Sequence, residues 1–77
     1  MNNAVCLSDM KPGESAHVKQ LKANGNLRRR FLDIGLIEQT TITCVGKSPL
    51  GDPIAFSIRG AVIAIRLEDC DNILIEP

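Results

Sequence analysis

Apolar and polar residues alternate most clearly in the middle of this chain. Ile54, Phe56 and Ile58 alternate with Ala55, Ser57 and Arg59, the period of two expected of a strand with one face on a core and one in water. The run Thr40-Thr41-Ile42-Thr43-Cys44-Val45 just before it is rich in β-branched residues and reads as a second strand. Between them lies Pro49-Leu50-Gly51-Asp52-Pro53, whose prolines and glycine punctuate rather than pair. The pattern predicts an antiparallel hairpin with a shaped, exposed tip. Leu50 sits on that tip, where an apolar side chain cannot easily join the core.

The flanking segments extend the pattern. Ala16–Leu21 alternates imperfectly and reads as a first strand. Arg59-Gly60 makes a tight second hairpin into Ala61–Leu67, where Ala61, Ile63, Ile65 and Leu67 fall on one face, taken as core. Ile73-Leu74-Ile75 is a last short strand, ended by Glu76-Pro77, and Glu68-Asp69-Cys70-Asp71 before it reads as an acidic, single helical turn. The period changes once. Leu27, Phe31 and Ile34 stand at i, i+4 and i+7, one face of a helix over Leu27–Ile34. Asn26 is its expected N-cap, Gly35 its left-handed C-cap, and Leu36 the apolar contact that follows. Near the start, Leu7–Glu14 reads as a short helical turn capped by Ser8 and stopped by Pro12-Gly13. The sum is mainly β: a small barrel of about five antiparallel strands with one short inserted helix, since closure hides sheet edges.

Length sets the scale. The chain has 77 residues, one domain over residues 1–77, and a domain of this size buries only about 60% of its unfolded surface. There is no Trp and no Tyr, and the aromatics are Phe31 and Phe56, so the core is built of Ile, Leu and Val. Lys plus Arg and Asp plus Glu are nine each, for a formal net charge of zero. A nucleic-acid binder usually carries a basic excess, so none is expected as a partner. Cys6, Cys44 and Cys70 are scattered and odd in number, unlike the even framework of a small secreted domain. No signal peptide opens the chain, and no stretch nears the roughly 18 apolar residues of a membrane span. The expectation is a reduced, cytoplasmic protein that meets a membrane only indirectly.

Four features, in order, resemble the ferrous iron transport protein A (FeoA) family. They are Leu7-Ser8-Asp9-Met10-Lys11-Pro12-Gly13-Glu14, Arg30-Phe31-Leu32-Asp33-Ile34-Gly35-Leu36, Ser48-Pro49-Leu50-Gly51-Asp52-Pro53-Ile54, and Arg59-Gly60 with Ala64-Ile65-Arg66. The resemblance implies an SH3-like barrel and a cytoplasmic partner of the GTPase-coupled permease, ferrous iron transport protein B. The same barrel resembles the C-terminal domain of iron-dependent repressors, which adjoins a DNA-binding helix-turn-helix. After Gly35-Leu36 this chain has Ile37-Glu38-Gln39, where the family often carries an arginine or an apolar-rich link.

Two patches are the candidate contact surface for the permease's cytoplasmic domain. One is the hairpin tip from Pro49 to Pro53, with Pro49, Leu50, Gly51 and Asp52. Leu50 is either a recognition anchor or folded back over the barrel end; Asp52 is expected to shape the turn with Pro53. The other is the helix end from Arg29 to Leu36, with Arg29, Arg30, Asp33 and Leu36. Arg28-Arg29-Arg30 spread about 100° apart on a helix, either as a solvated face or as a dock for an acidic GTPase surface, with an arginine finger as the sharper version. Asp33 either pairs with Arg29 or Arg30 or accepts backbone hydrogen bonds from the next turn. Cys44 reads as core and His17 as a surface strand residue. The cysteines lack the close pair that nucleates zinc sites, and no P-loop or nucleophile elbow is present, so neither cofactor, metal site nor enzyme is expected. The rival reading is a nucleic-acid-binding or metal-sensing regulatory barrel. Weak self-association stays open.

Overall fold

The computed structural model describes residues 5–76; Pro77, expected to help end the last strand, lies outside the described residues. Eight regular elements follow one another: β1 (Val5–Cys6), β2 (Ser15–Leu21), α1 (Gly25–Asp33), β3 (Thr41–Lys47), β4 (Ile54–Ile58), β5 (Ala61–Ile65), α2 (Leu67–Cys70) and β6 (Ile73–Glu76), with a 3-10 turn over Leu7–Asp9 between β1 and β2. The strands form one sheet in the order β1-β6-β2-β3-β4-β5, every pair antiparallel. The mainly β architecture with one short helix inserted after the first long strand is as expected, and α2 is the single acidic turn. The expected hiding of the edges is not complete, since the end strands β1 and β5 are not paired with each other. The sixth strand, β1, pairs Val5 and Cys6 with Ile75 and Leu74.

β4 shows how the barrel holds together. Ile54 and Phe56 are fully buried, Ile58 nearly so, and Ala55 and Ser57 between them are not. Each such apolar side chain contributes about 1.5–3 kcal/mol on full burial. Register shifts between Cys44 and Gly46 and between Val18 and Gln20 mark bulges, which bend and twist strands and help a sheet curl. Cys44 is 1% exposed and faces the core, as expected.

The helix turns its Phe31 face inward, with Leu27 and Ile34 packed at the margin of the core. It starts at Gly25, two residues before the expected Leu27, and Asn24, not Asn26, holds the cap position, without a side-chain hydrogen bond. Its end is a Schellman motif: Gly35 takes φ +96°, its N–H donates to Leu32 O (3.0 Å), and Leu36 N–H donates to Phe31 O (2.9 Å). A Cβ at Gly35 would sit 3.1 Å from Arg59 Cδ, so glycine suits both the angle and the close approach of helix end and β4–β5 turn. That turn has two residues, Arg59 at φ +52° and Gly60 at φ +85°, the type I′ hairpin expected of Arg-Gly.

Three expectations need correction. On β5 the alternation does not mark a buried face: Ile65 is buried and Ile63 partly so, Ala61 is exposed, and Leu67 has left the strand for α2. β5 is an edge strand, with a neighbour on one side only. The first turn is closed by Asp9, whose Oδ2 accepts from Cys6 N–H (3.0 Å), while Ser8 Oγ donates to Asp71 Oδ1 (2.7 Å). Asp33 is exposed and, among the described residues, makes neither of the interactions expected of it.

Candidate functional site

Ser48 organises the hairpin tip. Its carbonyl accepts from Gly51 N–H (2.8 Å) and its own N–H donates to Pro53 O (3.2 Å). Its hydroxyl accepts from Asp52 N–H (2.8 Å). The first bond closes a β-turn with Pro49 at the second position, where its fixed φ is already suitable. Gly51 follows at φ +81°, and the Asp52–Pro53 peptide is cis. Asp52 does more than shape this turn: its Oδ1 accepts from Leu67 N–H at 3.0 Å. That N–H is one of the unpaired donors at the start of α2, so the carboxylate ties the tip to a distant element. Leu50 does not fold back. It is 94% exposed, on a loop tied by the bonds of Ser48 and Asp52.

The helix patch is built differently. Arg28, Arg29 and Arg30 are exposed. The ion pairs among the described residues are instead Arg66 with Glu68 (3.7 Å) and Arg66 with Asp69 (3.6 Å). Arg30 lines a hollow of about 150 Å3 together with Phe31, Ile34, Ile63, Arg66 and Asp69. Leu36 is fully buried. It anchors the helix end from beneath and offers no side chain to a partner.

These positions show which candidates come together. Arg30 and Arg66 line the same hollow, and the residue after Arg66, Leu67, is the one Asp52 holds. The tip, the start of α2 and Arg30 thus follow one another along one side. Gly35 points elsewhere, against Arg59. Arg59 and the tip lie beyond opposite ends of β4, roughly 20 Å apart over the six residues from Pro53 to Arg59 at about 3.3 Å per residue. Sequence reasoning missed Leu67 as part of this site, because nothing local links it to Asp52. Ser48 did carry a signal, a hydroxyl directly before a proline turn.

A larger groove, about 420 Å3, runs beside β1, β2 and β6, floored by Met10, Ala16 and Ile75 and edged by Asp9, Glu14 and Glu76. Asp9 and Glu14 spend a carboxylate oxygen each on Cys6 N–H and Lys11 N–H. Among the described residues no three His, Cys, Asp or Glu side chains converge on a metal-sized position. The thiols are free. Burial pushes the Cys70 thiol up to about 12, with Asp71, Asp69 and Asp52 adding to the effect, and it donates to Ile65 O at 3.7 Å. Burial also raises Cys44 and Cys6. Thiols held protonated in this way are poor nucleophiles and poor ligands. Among the described residues, no helix is long and apolar enough to cross a membrane.

Comparison with known proteins gives a consistent picture. A family model described as the FeoA domain matches residues 5–77. A fusion protein of Fe(2+) transport protein A with the Fe(2+) transporter FeoB, from Porphyromonas gingivalis, is 33% identical over 70 residues. That span is 91% of this chain and 8% of the fusion protein, so the chain corresponds to a small part of it. The NMR structure of a FeoA-like protein from Clostridium acetobutylicum is 30% identical and superposes with a TM-score of 0.89, over 99% of this chain and 88% of that one. FeoA of Stenotrophomonas maltophilia, solved with zinc and called a procaryotic SH3 domain protein, gives a TM-score of 0.83 at 23% identity, over 95% and 91% of the two chains. At that identity the likeness speaks for the fold, an SH3-like barrel.

Proposed function

The chain belongs to the FeoA domain family, and from that premise we propose that it is a small accessory protein of ferrous iron uptake. In this reading it is not an enzyme. It binds the cytoplasmic domain of a GTPase-coupled permease of the FeoB kind and regulates it. The observation that carries the reading is the fusion protein of Porphyromonas gingivalis, whose name joins an A part to FeoB in one polypeptide. Joining two modules raises the effective concentration of each for the other, an arrangement useful to modules that work in contact.

Leu50 is the proposed anchor, because it is exposed on a loop that has already lost its freedom, and ordering cost is what weakens most exposed side chains as contacts. Pro49, Gly51 and Asp52 hold it in place, and Arg29 and Arg30, with Asp33 beside them, face an acidic surface on the partner. The mode differs from the usual capture of a proline-rich peptide by SH3 domains, which relies on an aromatic-lined groove; this chain has no Trp or Tyr.

The test is an amide-resolved NMR titration of the chain with a FeoB cytoplasmic domain, with and without a GTP analogue. Shifts centred on Pro49–Pro53 and on Arg29–Asp33 are expected. Binding with shifts confined to other surfaces would sink the site assignment. No binding in any nucleotide state would sink the adaptor reading.

A further inference from the structure

The sheet ends in two edges of unlike build. β1 is two residues long, and its surroundings are tied to the rest of the chain by Cys6 Sγ donating to Asp71 O and Ser8 donating to Asp71. β5 is five residues long, Ala61-Val62-Ile63-Ala64-Ile65. It carries no charge, no proline and no register shift against β4, so it lacks three of the devices that usually blunt a free edge; α1 stands beside it across a hollow shared by Arg30, Phe31 and Ile34 with Ile63, Ala64 and Ile65. Val62 is 66% exposed, and Ala61 and Ala64 are exposed as well.

The free hydrogen-bonding groups of this edge can be located. Ile58 and Ala61 flank a two-residue turn, and in such a hairpin that pair exchanges both backbone hydrogen bonds. Bonded and non-bonded pairs then alternate, so Ile63 and Ile65 bond to β4 while Val62 and Ala64 turn their N–H and C=O groups outward. Among the described residues no turn or loop backbone group bonds to either.

We propose that this edge pairs with the same edge of a second copy: β5 against β5, antiparallel, about a two-fold axis at Ile63. The register is self-consistent. Val62 of one copy faces Ala64 of the other, so all four outward-facing residues find partners in four hydrogen bonds, and the two Ile63 side chains meet at the non-bonded position, where side chains come closest. A two-fold contact of this kind is isologous and closed, so it stops at two copies. Charge permits the pairing without driving it. Arg59 of one copy comes one position off register from Arg66 of the other, Arg66 already stands beside Glu68 and Asp69 of its own copy, and no like charges are set directly opposite. A formal net charge of zero leaves no long-range repulsion to overcome. A single short strand pair buries far less than a standard interface, so the dimer is weak, with a Kd of about 0.1–1 mM. This inference is independent of the permease reading.

The experiment is a dilution series on the full chain, from about 1 mM to about 10 μM so as to bracket that range, followed by sedimentation equilibrium and amide NMR shifts. A concentration-dependent dimer is expected, with shifts at Ala61–Ile65 and with the Val62 and Ala64 amides slowed in hydrogen exchange at high concentration. Ala64→Pro removes one outward N–H at a position where an edge strand tolerates proline, and should leave a folded monomer. Val62→Lys keeps every backbone group, adds the charge that edges usually carry, and should do the same; it serves if the proline variant does not fold. A wild-type chain that stays monomeric across the series would overturn the proposal. So would a dimer that persists in Val62→Lys, concentration-dependent shifts that map to the hairpin tip or the Met10 groove, or β5 shifts that occur only when a different protein is added.

Discussion

The hairpin tip and the arginine face of α1 are both exposed, but they are held in different ways. At the tip, backbone and side-chain bonds converge on Ser48, and Asp52 reaches across to Leu67. Arg28–Arg30 stand on a helix that is fixed from below by Phe31 and Leu36, and their guanidinium groups make no ion pair among the described residues. The tip presents a preset shape; the helix presents a charge on flexible stems. Preset apolar contacts set residence and specificity, whereas exposed charges act mainly on encounter rate. If both patches meet one partner, the tip decides who stays and the helix decides who arrives quickly.

The largest effect should come from undermining the helix rather than its surface. Leu36→Ala removes a fully buried side chain at the Schellman motif and should cost about 2–5 kcal/mol, read as a lower urea midpoint. Amide exchange in the helix patch should speed up while that at the tip stays unchanged.

A second lever acts on the tip's side. Cys70 lies in α2, and its thiol is pushed up to about 12 from the ordinary 9.0. As pH rises above 9 the unfolded chain gives up this proton first and the native chain keeps it, so unfolding releases a proton and stability falls. The loss should be absent below pH 9 and should grow as pH climbs toward 12. Urea unfolding at stepped pH checks both the sign and the onset.

Asp52→Ala should cost about 1–2 kcal/mol, because it leaves a donor without its partner. Its diagnostic is faster exchange at the Leu67 amide with no change along α1. Leu50→Ala should change stability by less than about 0.5 kcal/mol, as expected for an exposed position, yet slow nothing and release the partner faster. Paired Arg29→Gln and Arg30→Gln should be smallest of all at physiological salt. They should lower the association rate, most visibly at low ionic strength. If Leu50→Ala acts on the association rate and the arginines act on dissociation, the division of labour between tip and helix is reversed.

Much of this architecture could be read from local pattern. Ile54, Phe56 and Ile58 announced β4, Arg59-Gly60 its turn, and Phe31 with Gly35 and Leu36 the helix face and its end, since each depends on residues a few positions apart. What escaped depended on distance or on context. β1 is two residues whose partners, Leu74 and Ile75, lie near the other end of the chain, and two residues have no period. The alternation in β5 was real, but periodicity reports that a strand has two faces, not that anything covers one of them. The helix start was displaced because two asparagines flank Gly25, and propensity alone does not choose between adjacent caps. At the candidate site, Leu50, Pro49 and Asp52 were visible as a turn, whereas the tie to Leu67 and the burial of Leu36 belong to the tertiary fold.

The strand order has a consequence for how the molecule is made. β6, the last strand in sequence, lies between β1 and β2, the first two. While β6 is still inside the ribosome, β2 has an open side and β1 has no neighbour at all. The two hairpins of the middle can form as they emerge, since their pairings are local, but the joining of β1 to the rest of the sheet waits for β6. Folding of this barrel is therefore completed only after β6 has left the exit tunnel, and its rate is governed by pairing residues far apart along the chain, the slow kind of contact.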